Sequence, residues 1–158
     1  MMILNADLRE FIGLLNSRGV EYVIVGAHCL AFHARPRYTG DLDLFVRPTP
    51  ENATRLVEAL RAFGFGSVAS HADFIQPGQV IQLGRAPHRI DLLTSLSGVD
   101  AEEGFATKVP AEIDGIPVSI LSRELLLRNK RATGRPQDIA DVALLEMTSA
   151  CDDTQSDA

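Results

Sequence analysis

The sequence predicts one mixed α/β (α+β) domain, with a mixed, largely antiparallel central sheet and helices packed against it. Three observations predict this. Helical apolar spacing alternates with short apolar runs through the first half of the chain. Strand-like segments then cluster in the middle, too close together for helical crossovers between each of them. Two more helical patterns follow at the end. At 158 residues the chain has the length of a single domain, and such a domain hides about 70% of the surface its unfolded chain exposes.

Each element follows from its residues. Leu8, Phe11, Ile12 and Leu15 recur at helical spacing, with Gly19 as the stop. Tyr22-Val23-Ile24-Val25 is a continuous apolar run, as expected of a strand covered on both faces, and it ends at Gly26. A short helix from about Ala27 to His33 and a turn at Arg35-Pro36-Arg37 come next. Asp41 to Val46 alternates as a second strand. Thr49-Pro50 supplies a capping hydroxyl and a proline at the first helical position. Ala53, Leu56, Val57, Leu60 and Phe63 form that helix's apolar stripe and Gly64 closes it. Gln79 to Leu83 and His88 to Leu93 read as a hairpin through Gly84–Pro87. Pro117 to Leu121 reads as a further strand. Ser122 caps a helix to about Ala132, Thr133-Gly134-Arg135-Pro136 interrupts it, and a last helix runs to about Met147. The expected domain is 1–147, with 148–158 a disordered acidic tail carrying Asp152, Asp153 and Asp157.

Composition narrows the function classes. Hydrophobic residues make up 46% and charged residues 23%, the balance of an ordinary globular protein. No apolar run approaches membrane-spanning length, and MMILNADLRE lacks the basic start and apolar stretch of a signal peptide. A cytoplasmic protein with no membrane partner is expected. The net charge of −6 argues against nucleic-acid binding as the main task. One local exception is Arg123, Arg128, Lys130, Arg131 and Arg135, set against Glu124 alone. Cys29 and Cys151 make neither a disulfide framework nor a zinc site, and Cys29 is expected in the core.

The chemistry is expected at three acidic residues. Asp41 and Asp43 stand at i and i+2 of a strand, so both carboxylates leave the same face, with α-carbons about 6.5 Å apart. Asp91 lies in Arg89-Ile90-Asp91-Leu92-Leu93, where aspartate is out of place unless partnered. Three carboxylates brought together need a cation or a proton, and oxygen-only ligands favour Mg²⁺ or Mn²⁺. The competing reading of Asp91 is a salt bridge to Arg89 or Arg85. Gly26, where a strand turns into a helix, would offer free backbone N–H groups to phosphate. His28 stands beside it, open to a phosphate or base contact. His33, His71 and His88 carry no metal-ligand spacing.

Tyr22-Val23-Ile24-Val25-Gly26-Ala27, thirteen residues, then Asp41-Leu42-Asp43-Leu44 resembles the signature of the nucleotidyltransferase superfamily (DNA polymerase β-like). Arg37-Tyr38-Thr39-Gly40-Asp41-Leu42-Asp43, with Lys130, Gly134-Arg135, Asp138 and Asp141 further on, is similar to a group of small bacterial members. That group is related to abortive-infection toxins of toxin–antitoxin systems. The resemblance implies the minimal nucleotidyltransferase fold with C-terminal helices. It implies that Asp41, Asp43 and Asp91 are catalytic and bind Mg²⁺ or Mn²⁺, with Asp91 the base toward an acceptor hydroxyl. It also implies that Gly26, Ala27, His28, Arg37, Thr39, Lys130 and Arg135 bind the nucleotide. The donor would be a nucleoside triphosphate, ATP among them, and the acceptor an RNA (tRNA foremost) or a protein, with a cognate antitoxin as partner. Ala27 departs from the family's Gly or Ser: it keeps its N–H and lacks the hydroxyl.

The alternative function is a catalytically degenerate domain that binds nucleotide or a partner protein, favoured by Ala27 and opposed by the three aspartates. A dehalogenase-type Asp nucleophile is disfavoured, because the Asp pair follows the glycine turn instead of ending the first strand. Asp138 and Asp141, three apart on one helix face, are expected to pair with Arg131 or Arg135.

Overall fold

The computed structural model describes residues 6–34, 41–84 and 89–156. The turn expected at Arg35-Pro36-Arg37 and the hairpin loop expected up to Pro87 therefore fall outside the described residues. So do Arg37, Thr39, Arg85 and His88.

In chain order the elements are α1 (Ala6–Ser17), β1 (Tyr22–Val25), α2 (Gly26–His33), β2 (Leu42–Val46), α3 (Pro50–Phe63), α4 (His71–Phe74), β3 (Val80–Leu83) and β4 (Ile90–Leu93). These are followed by α5 (Ala101–Ala106), β5 (Val109–Ile113), β6 (Ile116–Ile120), α6 (Arg123–Thr133) and α7 (Pro136–Ser156). The strands form one six-stranded sheet in the order β3-β4-β2-β1-β6-β5. Pairing is antiparallel for β3/β4, β1/β2 and β5/β6, and parallel for β2/β4 and β1/β6. The sheet is thus mixed and mostly antiparallel, as the clustered central strands require.

Successive strand residues point to opposite faces. All four residues of β1 are buried, so helices cover both faces of the sheet's centre. Leu8, Phe11, Ile12 and Leu15 of α1 are buried, as are Leu56 and Leu60 of α3. Phe11 meets Phe63 with ring centroids 5.1 Å apart, which joins α1 to α3. The expected caps are present. Thr49 accepts from the Asn52 N–H, Ser122 accepts from the Leu125 N–H, and Gly64 takes the left-handed conformation that closes α3 (φ 97°).

Three elements lie where the sequence reading expects none. The capping box of Ser70 and Asp73 starts the single turn of α4, and Asp100 precedes α5. The third is β5, an edge strand that tolerates Pro110 because an edge residue can forgo a ladder hydrogen bond. It joins β6 through Asp114 and Gly115, both at positive φ (53° and 79°), with Ile113 opposite Ile116. This Asp-Gly two-residue turn is the available sequence signal. The last helix, expected to stop near Met147, runs to Ser156, since neither glycine nor proline follows Pro136 to stop it.

Candidate active site

Strand register assembles the site. Parallel pairing of β2 with β4 sets Asp43 beside Asp91, and antiparallel pairing of β2 with β1 sets Asp43 beside Val25. The residue after Val25 is Gly26, whose φ is +67°. A Cβ on Gly26 would overlap Asp43 Oδ2 and stand 3.0 Å from its Cγ. Glycine is thus required twice here, by its backbone conformation and by the carboxylate lying over it. Alanine at this position is expected to cost about 1–2 kcal/mol for the left-handed backbone alone, plus displacement of Asp43. Gly13 makes the matched control: it lies inside α1, and a Cβ added there would meet nothing within 4 Å. There alanine should stabilise by about 0.5–1 kcal/mol. Urea unfolding of the two variants checks both signs.

The Asp43 carboxyl has its pKa pushed up to about 7. Burial is the main cause, followed by the charge of Asp91, hydrogen bonding with Asp91 and the charge of Asp41, while Arg89 opposes them. The competing readings of Asp91 hold together: it faces Asp43, and it is also bound by Arg89. Arg89 Nε donates to Asp91 Oδ1 at 3.0 Å and Nη2 to Oδ2 at 3.2 Å. The same Nη2 lies 3.5 Å from Asp41 Oδ2, and the Arg89 backbone N–H donates to Asp41 Oδ1 at 3.4 Å. Arg89 is the residue that sequence reasoning treats only as a rival and that the structure places at the centre. Its position two residues before Asp91 is the available signal.

His28 is buried, 3% exposed. Burial lowers its pKa, opposed by a hydrogen bond with the Asp41 backbone and by the Asp41 charge, so the ring is neutral at pH 7. Its Nδ1 is buried and finds no hydrogen-bond partner among the described residues. His28 thus lies against the start of β2. Gly26 and Ala27 open α2, whose N-cap residue, Val25, makes no side-chain cap.

Lys130 and Arg135 gather elsewhere, at the α6–α7 turn. Lys130 is buried and its Nζ lies 3.4 Å from Asp138 Oδ1 and 3.1 Å from Asp141 Oδ2. Arg135, 71% exposed, donates from Nε to Asp138 Oδ2 at 2.7 Å. Asp138 also accepts from Thr133 Oγ1 at 2.7 Å. Arg135 beside it holds its carboxyl well below the usual carboxylate range, against the opposing effect of burial. Asp138 pairs with Arg135 as expected, whereas Asp141 pairs with Lys130 and not with Arg131, which pairs with Glu146 at 2.6 Å. Arg128 pairs with Glu103 at 2.6 Å, and Arg123 donates to the Leu145 carbonyl. The basic cluster of the sequence is therefore largely neutralised within the chain. Cys29 is a buried core residue whose Sγ contacts the Leu121 carbonyl. His33 Nε2 reaches the same carbonyl at 2.7 Å, and His71 Nε2 meets the Pro50 carbonyl.

Among the described residues no group of three or more His, Cys, Asp or Glu side chains converges as a ready metal site. The assembled pair is Asp43 with Asp91, and Asp41 joins it through Arg89. The pair still fits a hard divalent cation. Its donors are all oxygen, and Asp43, whose pKa is raised first by burial and then by the charges of Asp91 and Asp41, is a carboxylate whose ionised form a bound cation would favour. No helix among the described residues is long and apolar enough to cross a membrane.

A family model described as "Nucleotidyl transferase of unknown function (DUF2204)" matches residues 4–153. No curated protein matches the chain. Among solved structures, the chain is similar to TM1012 of Thermotoga maritima, described as a nucleotidyltransferase. Identity is 14% and the TM-score 0.57, over 99% of this chain and 98% of that one. The lincosamide antibiotic adenylyltransferase LnuA, bound to lincomycin, is 11% identical with a TM-score of 0.58, over 92% of this chain and 98% of its own. ANT(2″)-Ia, in complex with adenylyl-2″-tobramycin, is 15% identical with a TM-score of 0.56, over 94% and 91%. At these identities the likeness is one of fold.

Proposed function

We propose that this chain, which belongs to the family of nucleotidyl transferases of unknown function (DUF2204), moves a nucleoside monophosphate from a nucleoside triphosphate to a hydroxyl acceptor and releases pyrophosphate. The observation that carries the reading is the fit of Gly26 beneath Asp43, with Asp43 set against Asp91 across the parallel pair β2/β4. A strand-to-helix turn whose N-cap residue, Val25, makes no side-chain cap thus lies directly beside two carboxylates. Asp43 and Asp91 would hold Mg²⁺ or Mn²⁺, with Asp41 beside them. Such ions neutralise the triphosphate and stabilise the attacking and leaving oxygens of an in-line displacement. Asp91 is the proposed acceptor of the hydroxyl's proton. Gly26 and Ala27 offer N–H groups to phosphate, and Ala27 keeps that donor without a hydroxyl.

The sequence resemblance implies RNA or protein as the acceptor. The basic cluster that would carry RNA is paired with Glu103, Glu146, Asp138 and Asp141, and the net charge is −6. These observations favour a small hydroxyl-bearing molecule over a polyanion. LnuA and ANT(2″)-Ia, which share the fold at nearly full length, were solved with lincomycin and an adenylylated tobramycin. A toxin role with a cognate antitoxin is what the sequence resemblance implies.

Thermal unfolding with ATP, GTP, CTP and UTP, each with and without Mg²⁺, tests the donor site without knowledge of the acceptor. At a hundredfold excess over Kd a ligand of the native state adds about 2.7 kcal/mol. For a chain of this size that is a shift of about 5–10 °C. A Mg²⁺-dependent shift with at least one nucleotide, lost in Asp43→Asn, is expected. No shift at millimolar nucleotide would favour the degenerate, partner-binding alternative.

A further inference from the structure

We propose that Arg89 is the site's internal counter-cation: its guanidinium holds Asp91 and Asp41 while no metal is bound, and gives them up to bind phosphate when metal and nucleotide arrive. The inference rests on the nucleotidyl-transfer reading and assigns a residue that this reading leaves without a role.

The geometry is that of a competitor for the metal's ligands. Nε and Nη2 of Arg89 form a fork across both oxygens of Asp91, at 3.0 and 3.2 Å. Nη2 also lies 3.5 Å from Asp41 Oδ2. The Asp91 side chain is only 10% exposed, and the fork occupies a lone pair on each of its oxygens. A divalent ion that takes Asp91 together with Asp43 competes with the fork for those oxygens. The guanidinium cannot leave by losing its proton, so it must leave as a cation. Its side chain is 35% exposed, which leaves it room to swing toward solvent. A planar fork that matches a carboxylate also matches phosphate oxygens. Released from Asp91, it sits beside the carboxylates at the place where a triphosphate needs positive charge.

Competition and recruitment by one residue make opposite predictions for two ligands. Arg89→Gln should bind Mn²⁺ alone more tightly, because the competitor is gone. It should bind a nucleoside triphosphate more weakly at saturating Mn²⁺, because the phosphate donor is gone. Each change is expected at about tenfold, within the usual range of coupling between linked sites. Electron paramagnetic resonance of Mn²⁺ titrated into the full-length protein reads the first, and titration of a fluorescent nucleoside triphosphate reads the second. Arg89→Lys keeps the charge without the fork. It should tighten Mn²⁺ less, and it carries the test if Arg89→Gln does not fold.

A residue that merely braces Asp91 gives a different outcome. Mn²⁺ affinity unchanged or weakened in Arg89→Gln, with wild type binding Mn²⁺, overturns the role of Arg89 and leaves nucleotidyl transfer standing. Wild type and both variants failing alike to bind Mn²⁺ overturns the transfer reading, and this inference with it.

Discussion

Asp43→Asn is expected to abolish nucleotidyl transfer and, in metal-free protein at pH 8, to raise the melting temperature. Both effects have one cause. Asp43 is ionised at pH 8 against its own preference, since burial and the charges of Asp91 and Asp41 raise its pKa from 3.8 to about 7. Between those two values the folded state keeps a proton that the unfolded chain has lost, so stability falls as pH rises through this window. Above pH 7 the penalty is fully present, and asparagine removes it. The pKa gap sets an upper bound of about 4 kcal/mol. Relaxation of the Asp43–Asp91 pair reduces this, and a gain of a few degrees is the expected reading. Mg²⁺ should stabilise wild type more at pH 8 than at pH 6, because the ionised carboxylate is the ligand. It should do nothing for the variant. Transfer should fall by at least about a hundredfold, since changes to outer-shell partners of a metal already cost 10–100-fold. A variant that melts no higher than wild type at pH 8 without metal would show that Asp43 carries no such burden. A variant that still transfers would remove Asp43 from the chemistry.

How far the sequence carries toward this site follows from the range of the interactions involved. Asp41 and Asp43 are legible because a strand's period of two is local. Gly26 is legible because an apolar run followed by glycine marks the end of a buried strand. That Asp91 lies beside Asp43 is a matter of pairing between β2 and β4, strands far apart in the sequence, and no local pattern encodes that pairing. The need for glycine at position 26 has the same character, because the group it makes room for belongs to another strand. β5 escapes the sequence reading for a different reason. Pro110 argues against a strand, while Asp114-Gly115 argues for a hairpin, and the turn chemistry prevails because an edge strand can accommodate proline. Lys130 falls in the expected helix, but its burial depends on two aspartates from the next helix, which no local pattern of α6 encodes.

That burial turns a substitution at Lys130 into a test of stability. Lys130→Met is expected to destabilise the fold by about 3 kcal/mol, at the lower end of the range for breaking a buried ion pair. The lower end applies because Asp138 is covered chiefly by its own partners. It keeps the Arg135 fork, at 2.7 and 3.2 Å, and the Thr133 hydroxyl when Lys130 is gone. Asp141 is the carboxylate left exposed to the loss. It is 3% exposed, pairs with Lys130 at 3.1 Å and otherwise accepts from the Gln137 amide at 3.0 Å. The cost should therefore reside in Asp141, and Lys130→Met with Asp141→Asn should recover much of it, whereas Lys130→Met with Asp138→Asn should not. A double-mutant cycle followed by urea unfolding measures this directly. The same cycle separates the two roles open to Lys130. If it serves only to join α6 to α7, the Met/Asn pair regains nucleotide-dependent stabilisation along with its fold. If its ammonium also meets the triphosphate, the repaired fold stays unresponsive to nucleotide. A loss below about 0.5 kcal/mol, the size of an ordinary surface change, would show that Lys130 is not the buried partner the geometry makes it.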